Sequence, residues 1–204
     1  MKSEWQPESI ALIDCLLGLV VALMAIAFLP HSKPVDPTAA PMIAPLVAEI
    51  RWGPTHMGCG DPKAATFHDD DVDLWVLPPG GKPVGYSNKT GFGANLVHDD
   101  LGPGADPDSE CVEYATFPVL RPGEYVINAM LYSVRTPPPV PLTLIVRETW
   151  DNGKVTSVII RKSAVLRHDG EEITIVRFTL DKDGTVVPDS VNDLPMPLRS
   201  AGVQ

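Results

Sequence analysis

The feature that most constrains this chain is an apolar run near its start. Residues 9–29 read SIALIDCLLGLVVALMAIAFL and contain one charged side chain, Asp14. At 1.5 Å of rise per residue, a helix of this run spans about 30 Å, which is the thickness of a bilayer core. Pro7 and Pro30 lie just outside the run, where proline disturbs a helix least. We therefore predict one transmembrane helix over residues 9–29, preceded by a short cytoplasmic N-terminus, residues 1–8.

A cleaved signal peptide is the alternative interpretation of this run. Such peptides have a basic start and a shorter apolar core, whereas Lys2 is the only basic side chain before this run. Ala25 and Ala27 imitate the small residues of a cleavage site. The basic residues that set orientation are nearly balanced, with Lys2 on one side and Lys33 and Arg51 on the other. We place the N-terminus in the cytoplasm because the downstream cysteine pair suits an oxidising compartment.

Asp14 lies on a helix face that is otherwise built from small residues. Ala11 precedes it and Gly18, Ala22 and Ala25 follow it at helical spacing, so all of them share one side of the helix. Gly18 and Ala22 form a small-xxx-small pair, which lets another helix approach closely. A carboxylate at membrane depth costs roughly 2.5–3.5 kcal/mol and is a functional residue by default. The alternative is that Asp14, near the cytoplasmic end, snorkels outward to the interface.

Residues 10–21, IALIDCLLGLVV, resemble the transmembrane signature of the ExbD/TolR family, with MotB as a more distant relative. Members of this family are single-helix subunits of proton-driven motors in the bacterial inner membrane. The resemblance implies that Asp14 is the proton carrier and that the chain forms a dimer inside a ring of polytopic MotA/ExbB/TolQ-like subunits. It also implies a periplasmic C-terminal domain that acts on a periplasmic or cell-wall partner. The family's usual proline before the aspartate is absent here.

Beyond the helix, the pattern predicts a tether and a mainly-β exported domain. Residues 30–48 are rich in proline and poor in charge, which predicts an extended tether. Residues 49–187 are predicted to form a β-sandwich, with hairpin turns at 151–153 and 168–170, and residues 188–204 a loose tail. The predicted strands are rich in β-branched and aromatic residues and are separated by Gly, Pro, Asn and Asp. They are LVAEIRW, VDLWVL, ANLVH, CVEYATF, EYVINAMLYS, LTLIVRETW, VTSVIIRKSAVL and EITIVRFTL.

A second resemblance covers about residues 69–133. The segments DVDLWVLPPGGKPVGYSNKTG, LVHDDLGPG and LRPGEYVINAMLYS are similar to the YfaP-type periplasmic domain. The shared pattern is Asp-x-Asp-Leu-x-Val, a central Tyr, an Asp before Gly-Pro, and Pro-Gly-x-Tyr before the last strand. Pre-peptidase C-terminal β-sandwiches share the opening of this pattern. The resemblance implies a sandwich with a binding or structural role, and it implies no enzymatic activity.

The cysteines predict one disulfide bridge. Cys15 lies in the membrane segment, which leaves Cys59 and Cys111 as the natural pair in the exported domain. Their bridge closes a loop of about 50 residues and contributes roughly 3–4 kcal/mol on the loop-entropy model. The alternatives are two separate buried thiols, or a zinc site of His56, Cys59 and His68 whose spacing matches no standard pattern.

An acidic run at the start of the second predicted strand is a candidate cation site. Asp71 and Asp73 alternate along the strand and therefore share a face, with Asp69 just before them. The loop residues Asp99 and Asp100 can join them, and carboxylate oxygens are ligands for Ca²⁺. The run lacks the spacing of an EF-hand loop. The alternative, which we favour from the sequence, is a solvated strand entrance in which the aspartates cap turns, so we expect no cofactor.

Composition and motifs narrow the function to two classes. The formal net charge is -10, which repels phosphate backbones, so we expect no nucleic-acid partner. The sequence has no GxSxG, HExxH or phosphate-binding loop, and we expect that the protein is not an enzyme. One class is a subunit of a motor or energy-transducing complex driven by the proton-motive force. The other is a signal-anchored periplasmic binding module for a glycan, a protein or Ca²⁺, without ion transport.

Overall fold

The computed structural model describes residues 46–53, 70–101, 111–150 and 155–199, without the side chains of residues 150 and 155. Several predicted features lie outside these residues, namely the transmembrane helix with Ala11, Asp14, Gly18, Ala22 and Ala25, most of the tether, Cys59 and Asp69. In the described part of the chain, no helix is both long and apolar enough to cross a membrane.

The described residues form nine strands in two antiparallel sheets, a sandwich-like, mainly-β arrangement. The strands are β1 (Leu46–Trp52), β2 (Asp71–Leu77), β3 (Thr90–Gly91), β4 (Ala94–His98), β5 (Val112–Phe117), β6 (Gly123–Ser133), β7 (Val140–Trp150), β8 (Val155–Leu166) and β9 (Glu172–Leu180). One sheet has six strands in the order β3-β4-β5-β1-β7-β8, and the other has three in the order β2-β6-β9.

The predicted runs correspond to every strand except the short β3, and β1 shows why they were recognisable. Along LVAEIRW, buried and half-buried residues alternate without interruption. A period of two is what a strand with one face on a core requires. Because β1 begins at Leu46, the β domain starts inside the segment predicted as tether.

Aromatic side chains fill one end of the space between the sheets. The rings of Phe117 and Tyr125 meet edge to face at 5.3 Å, and Tyr125 stacks on Phe178 at 5.3 Å. The Tyr125 hydroxyl donates to the carbonyl oxygen of Arg121 at 3.0 Å and accepts from the Arg121 N–H at 2.9 Å. The one polar atom of this aromatic cluster is therefore satisfied, as buried polar groups generally are.

Of the two predicted hairpins, the structure pairs only the first. Strands β7 and β8 pair along their length, and the turn between them, at 151–153, lies outside the described residues. The turn at 168–170 is present, with Gly170 at a φ of 76°, but β8 and β9 belong to different sheets. The prediction of a hairpin there is wrong. The reason is that Gly170 donates its N–H to the Leu131 carbonyl oxygen and Leu131 donates to that of Glu171, so the chain joins β6 after the turn.

The C-terminal segment also differs from the predicted loose tail as far as residue 199. Asn192 and Arg177 exchange backbone hydrogen bonds of 2.7 and 2.9 Å, and the N–H of Leu198 donates to Glu172 Oε1 at 2.6 Å. Leu198 is buried in a small cluster with Trp75, Val126 and Met130. This segment covers the outer face of the three-stranded sheet, whose apolar side chains would otherwise be exposed to water.

Candidate cation-binding site

Three carboxyl groups meet beside β2. This strand is an edge of the three-stranded sheet and contacts β4 and β5 of the other sheet. Asp73 lies on β2, Asp99 directly follows β4, and Glu113 lies on β5. One oxygen atom from each side chain lies within 4.8 Å of the other two. We call Asp73, Asp99 and Glu113 the acidic triad.

The period of β5 places Glu113 in the interior. Cys111, Ala115 and Phe117 belong to the buried core, and Glu113 lies on the same face because it is separated from them by even numbers of residues. The Glu113 side chain is fully buried. Its Oε2 atom accepts a hydrogen bond of 2.6 Å from the N–H of Leu74. This bond ties β5 to β2 and directs the carboxyl group at the edge of the opposite sheet.

Strand irregularities lie next to the other two members of the triad. The pairing of β2 with β6 shifts between Asp71 and Val72, just before Asp73. The pairing of β4 with β5 shifts between Leu96 and His98, just before Asp99. Bulges bend a strand and redirect its side chains, and they are frequent beside functional sites. These two shifts accompany the approach of Asp73 and Asp99 to Glu113.

Two buried oxygen atoms of the triad have no hydrogen-bond partner among the residues that the structure describes. Asp73 Oδ2 and Glu113 Oε1 are both buried, and neither has a partner within the described part of the chain. Leaving a buried polar group unsatisfied costs about 1–3 kcal/mol, and more when the group is charged. Buried carboxylates are therefore usually paired with a cation or bound to a metal. Both atoms are available as ligands.

Burial and mutual repulsion make Asp73 and Glu113 hard to ionise. Burial raises the pKa of Asp73 to about 7, and the negative charges of Asp71 and Asp99 add to the rise. Burial also raises the pKa of Glu113 well above its ordinary value, and Asp73 and Asp99 add to that rise. The hydrogen bond from Leu74 acts in the opposite direction. A bound cation would relieve both effects, because it favours the charged form of each carboxyl group.

More charged groups surround the triad. Burial raises the pKa of Asp71 to about 6, with the charges of Asp100 and Asp99 adding to the rise and that of Arg135 opposing it. The Lys89 ammonium nitrogen lies 2.7 Å from Asp99 Oδ2. The region thus brings together five carboxyl groups, counting Asp71 and Asp100.

The geometry and the ligand type suit a hard divalent cation. Oxygen atoms that share one Ca²⁺ lie no more than about 5 Å apart, which is twice the metal–oxygen distance of about 2.3–2.6 Å. The spread of 4.8 Å in the triad lies within that limit. The three ligands are all carboxylates, which suit Ca²⁺ and Mg²⁺ better than Zn²⁺ with its preference for His and Cys.

The four predicted ligands, Asp69, Asp71, Asp73 and Asp99, have different positions in the structure. It brings Asp73 and Asp99 together and leaves Asp71 beside them, close enough for its charge to act on Asp73. Asp69 lies outside the described residues. That any of them binds a metal stays a prediction.

Asp70, in the middle of the same run, follows the alternative interpretation. Its Oδ1 accepts hydrogen bonds from the N–H groups of Arg135 and Thr136, at 2.6 and 2.9 Å. Its Oδ2 accepts from the Thr136 hydroxyl at 2.5 Å. Asp70 therefore holds the connection between β6 and β7, and its role is structural.

The predicted disulfide can be followed at one end only. Cys111 is fully buried immediately before β5 and is not a free thiol. Its predicted partner Cys59 lies outside the described residues, as do His56 and His68 of the zinc alternative. The pairing of Cys59 with Cys111 stays a prediction.

Sequence reasoning missed Glu113 and Lys89. Within CVEYATF, Glu113 resembles the outward-facing charge of an ordinary strand. The available signal was its spacing from Cys111, Ala115 and Phe117, which places a carboxyl group on an otherwise apolar face. For Lys89, which lies in a loop, no local pattern indicates a contact with Asp99.

No family model matches the chain, and neither a curated protein nor a solved structure matches it. The function must therefore be argued from the residues themselves.

Proposed function

We propose that the β domain is a binding module that holds Ca²⁺ in the acidic triad, within a membrane-tethered, exported protein. The observation that carries this proposal is the pair of buried oxygen atoms, Asp73 Oδ2 and Glu113 Oε1, that lack hydrogen-bond partners among the described residues. A cation between them supplies the missing partner. It also neutralises a group of carboxyl groups that otherwise repel one another.

The arrangement of the donors favours calcium over magnesium. Ca²⁺ accepts six to eight oxygen ligands in flexible geometry, whereas Mg²⁺ demands a near-ideal octahedron and keeps several waters. The three carboxylates belong to three separate strands or strand ends, so no single element holds them in an octahedron. Asp71 and Asp100 contribute further negative charge nearby.

The test is the effect of Ca²⁺ on thermal unfolding of the full-length chain, purified in mild detergent and stripped with a chelator. A ligand that binds only the folded state stabilises it, by about 2.7 kcal/mol at a hundredfold excess over Kd. We expect Ca²⁺ to raise the melting temperature, and Mg²⁺ to raise it less. An unchanged melting temperature at millimolar Ca²⁺ would contradict the proposal.

Charge-neutral variants assign the effect to the triad. Glu113→Gln keeps an oxygen acceptor for Leu74 but removes the carboxylate charge. Asp73→Asn removes the carboxylate charge on β2. Both variants should lose the Ca²⁺-dependent shift. Asp183→Asn is the matched control, because Asp183 is an exposed partner of Lys182 in a surface turn, and it should keep the shift.

A second proposal concerns the N-terminal segment and rests on the sequence alone. The small face around Asp14 is more than a passive anchor requires, and it supports a proton-driven inner-membrane motor with Asp14 as proton carrier. In this proposal two copies sit within a ring of polytopic subunits, and the β domain couples to a periplasmic or cell-wall partner. The two proposals are compatible, since one concerns the helix and the other the exported domain.

Asp14→Asn tests the motor proposal, because asparagine nearly matches aspartate in shape but cannot carry a proton. We expect loss of any phenotype that depends on the protein, with membrane insertion and partner assembly intact. Gly18→Leu should instead disrupt assembly by blocking close helix approach. Normal activity of a stably expressed Asp14→Asn variant would contradict this role.

A further inference from the structure

Lys89 places a positive charge directly on one member of the acidic triad. Its ammonium nitrogen lies 2.7 Å from Asp99 Oδ2, and the Asp99 side chain is only 7% exposed while that of Lys89 is 53% exposed. Among the ion pairs formed between described residues, this is the one that reaches the triad. The cationic end therefore lies at the solvent side of a buried carboxylate cluster.

The backbone at Lys89 is held, whereas its side chain has access to water. Gly85 and Asn88 exchange backbone hydrogen bonds just before it, and its carbonyl oxygen accepts from the N–H of Leu96 at 2.8 Å. The loop therefore delivers the ammonium group to Asp99 from a defined position. Because the side chain is half exposed, it can turn into solvent without any change in the backbone.

A divalent cation and the Lys89 ammonium group compete for the same carboxylate. A Ca²⁺ ion bound to Asp99 Oδ2 would lie within about 5 Å of the ammonium nitrogen, given the usual metal–oxygen distance. Charges of the same sign at that distance repel strongly at a partly buried site. We propose that Lys89 is a tethered counter-ion that occupies Asp99 when no metal is bound and that the cation displaces, so that Lys89 sets the affinity of the site. This inference rests on the proposed Ca²⁺ function.

The other nearby cations do not have this role. Arg135 acts on Asp71, and Arg199 acts on Asp73, each through its charge rather than through an ion pair with the triad. The Arg199 guanidinium lies over the ring of Tyr132, at 5.9 Å from its centre. Lys89 is the group in position to be exchanged for a metal.

The first test compares the Ca²⁺ affinity of three variants of the full-length chain with that of the wild type, by titration calorimetry in mild detergent. Lys89→Met keeps the apolar stem and removes the charge, and we expect Ca²⁺ to bind about tenfold more tightly. Lys89→Arg restores the charge and should return the affinity to within about threefold of wild type. Lys82→Met removes another exposed lysine from the segment that precedes β3, and it should leave the affinity unchanged.

The second test needs no variant. Acetylation of individual lysines in the wild-type chain is followed by mass spectrometry, with and without Ca²⁺. Release from Asp99 should increase the rate at Lys89 and leave that at Lys82 unchanged. Equal Ca²⁺ affinity in Lys89→Met and wild type, or a Lys89 rate that Ca²⁺ does not change, would overturn this inference while leaving the Ca²⁺ site intact. Absence of Ca²⁺ binding from wild type and all variants would overturn the proposed function as well.

Discussion

The two ends of β5 make opposite uses of the same buried face. At one end Phe117 packs edge to face against Tyr125, and the hydroxyl of that tyrosine both donates and accepts a hydrogen bond. At the other end Glu113 is equally buried, yet one of its oxygen atoms has no partner among the described residues and its pKa is raised well above the ordinary value by burial. Glu113 and Phe117 are four positions apart, or about 13 Å along a strand.

The aromatic end around Phe117 therefore stabilises the fold, whereas the acidic end around Glu113 destabilises it. Burying Phe117 contributes stability through apolar area and ring contacts. Burying Glu113 near Asp73 and Asp99 costs stability unless a cation or protons neutralise the group. An arrangement that costs folding energy is expected where binding needs it. Each prediction below tests whether the two ends differ in this way.

The largest expected effect is at the aromatic end. Phe117→Ala should lower the free energy of unfolding by about 3–5 kcal/mol, because it leaves a cavity beside Tyr125. Urea unfolding of the full-length chain measures the loss. Val119→Ala is the control, since Val119 is 49% exposed, and it should cost little. A loss of the same small size in both variants would show that this end is not the stabilising one.

The next effect concerns Cys111, which lies on the same face just before Glu113. If it is bridged to Cys59, then Cys59→Ser should lower the free energy of unfolding by about 3–4 kcal/mol on the loop-entropy model. Mass spectrometry of the non-reduced protein identifies the bridged peptides. Cys15→Ser, in the predicted transmembrane helix, should change nothing. Detection of two free thiols at positions 59 and 111 would remove the bridge from the proposal.

At the acidic end the sign should reverse. In the presence of a chelator, Glu113→Gln should raise the free energy of unfolding by about 1–2 kcal/mol, because it removes the cost of burying an ionisable carboxyl group while keeping an acceptor for Leu74. Glu124→Gln is the control, since Glu124 forms an exposed pair with Arg177 and its loss should be nearly neutral. Destabilisation by Glu113→Gln without metal would mean that Glu113 supports the fold rather than a ligand.

The smallest effect is the pH dependence of the chelated protein. The pKa values of Asp71 and Asp73 are raised in the folded state to about 6 and about 7, so the folded state retains protons that the unfolded chain has released. The resulting stability is present at low pH and is lost as pH rises through these values. Between about pH 6 and pH 7 we expect a loss on the order of 1 kcal/mol. Saturating Ca²⁺ should abolish this trend, and a rise in stability with pH under chelation would contradict it.

The strands were predictable because their signal is local. Along β1 the alternation of buried and half-buried residues is already present as the alternation of residue types in LVAEIRW. The partners of each strand were not predictable in the same way. The turn at Gly170 was recognised, but turn chemistry does not specify which sheet the following strand joins, and β9 pairs with β6 instead of β8. For the same reason the docking of residues up to 199 against β9 was missed.

The candidate site shows the same division. Asp73 and Asp99 were predicted as ligands because each belongs to a short acidic cluster in the sequence. Glu113 stands alone in its strand, and it reaches Leu74 only across 39 positions of sequence. Lys89 likewise becomes informative only through its contact with Asp99. Isolated charges have no local signature that separates an interior ligand from a surface side chain.

By itself, the sequence of this protein determined which segments become strands, because the two-residue period and the turn residues between the runs are properties of neighbours along the chain. It also predicted a transmembrane helix over residues 9–29 with Asp14 as proton carrier. Only the tertiary structure decided that β2 packs against β4 and β5, which gathers Asp73, Asp99 and Glu113 within 4.8 Å. Burial and repulsion among these groups arise from that packing, since the pKa of a carboxyl group depends on neighbours in space and not in sequence.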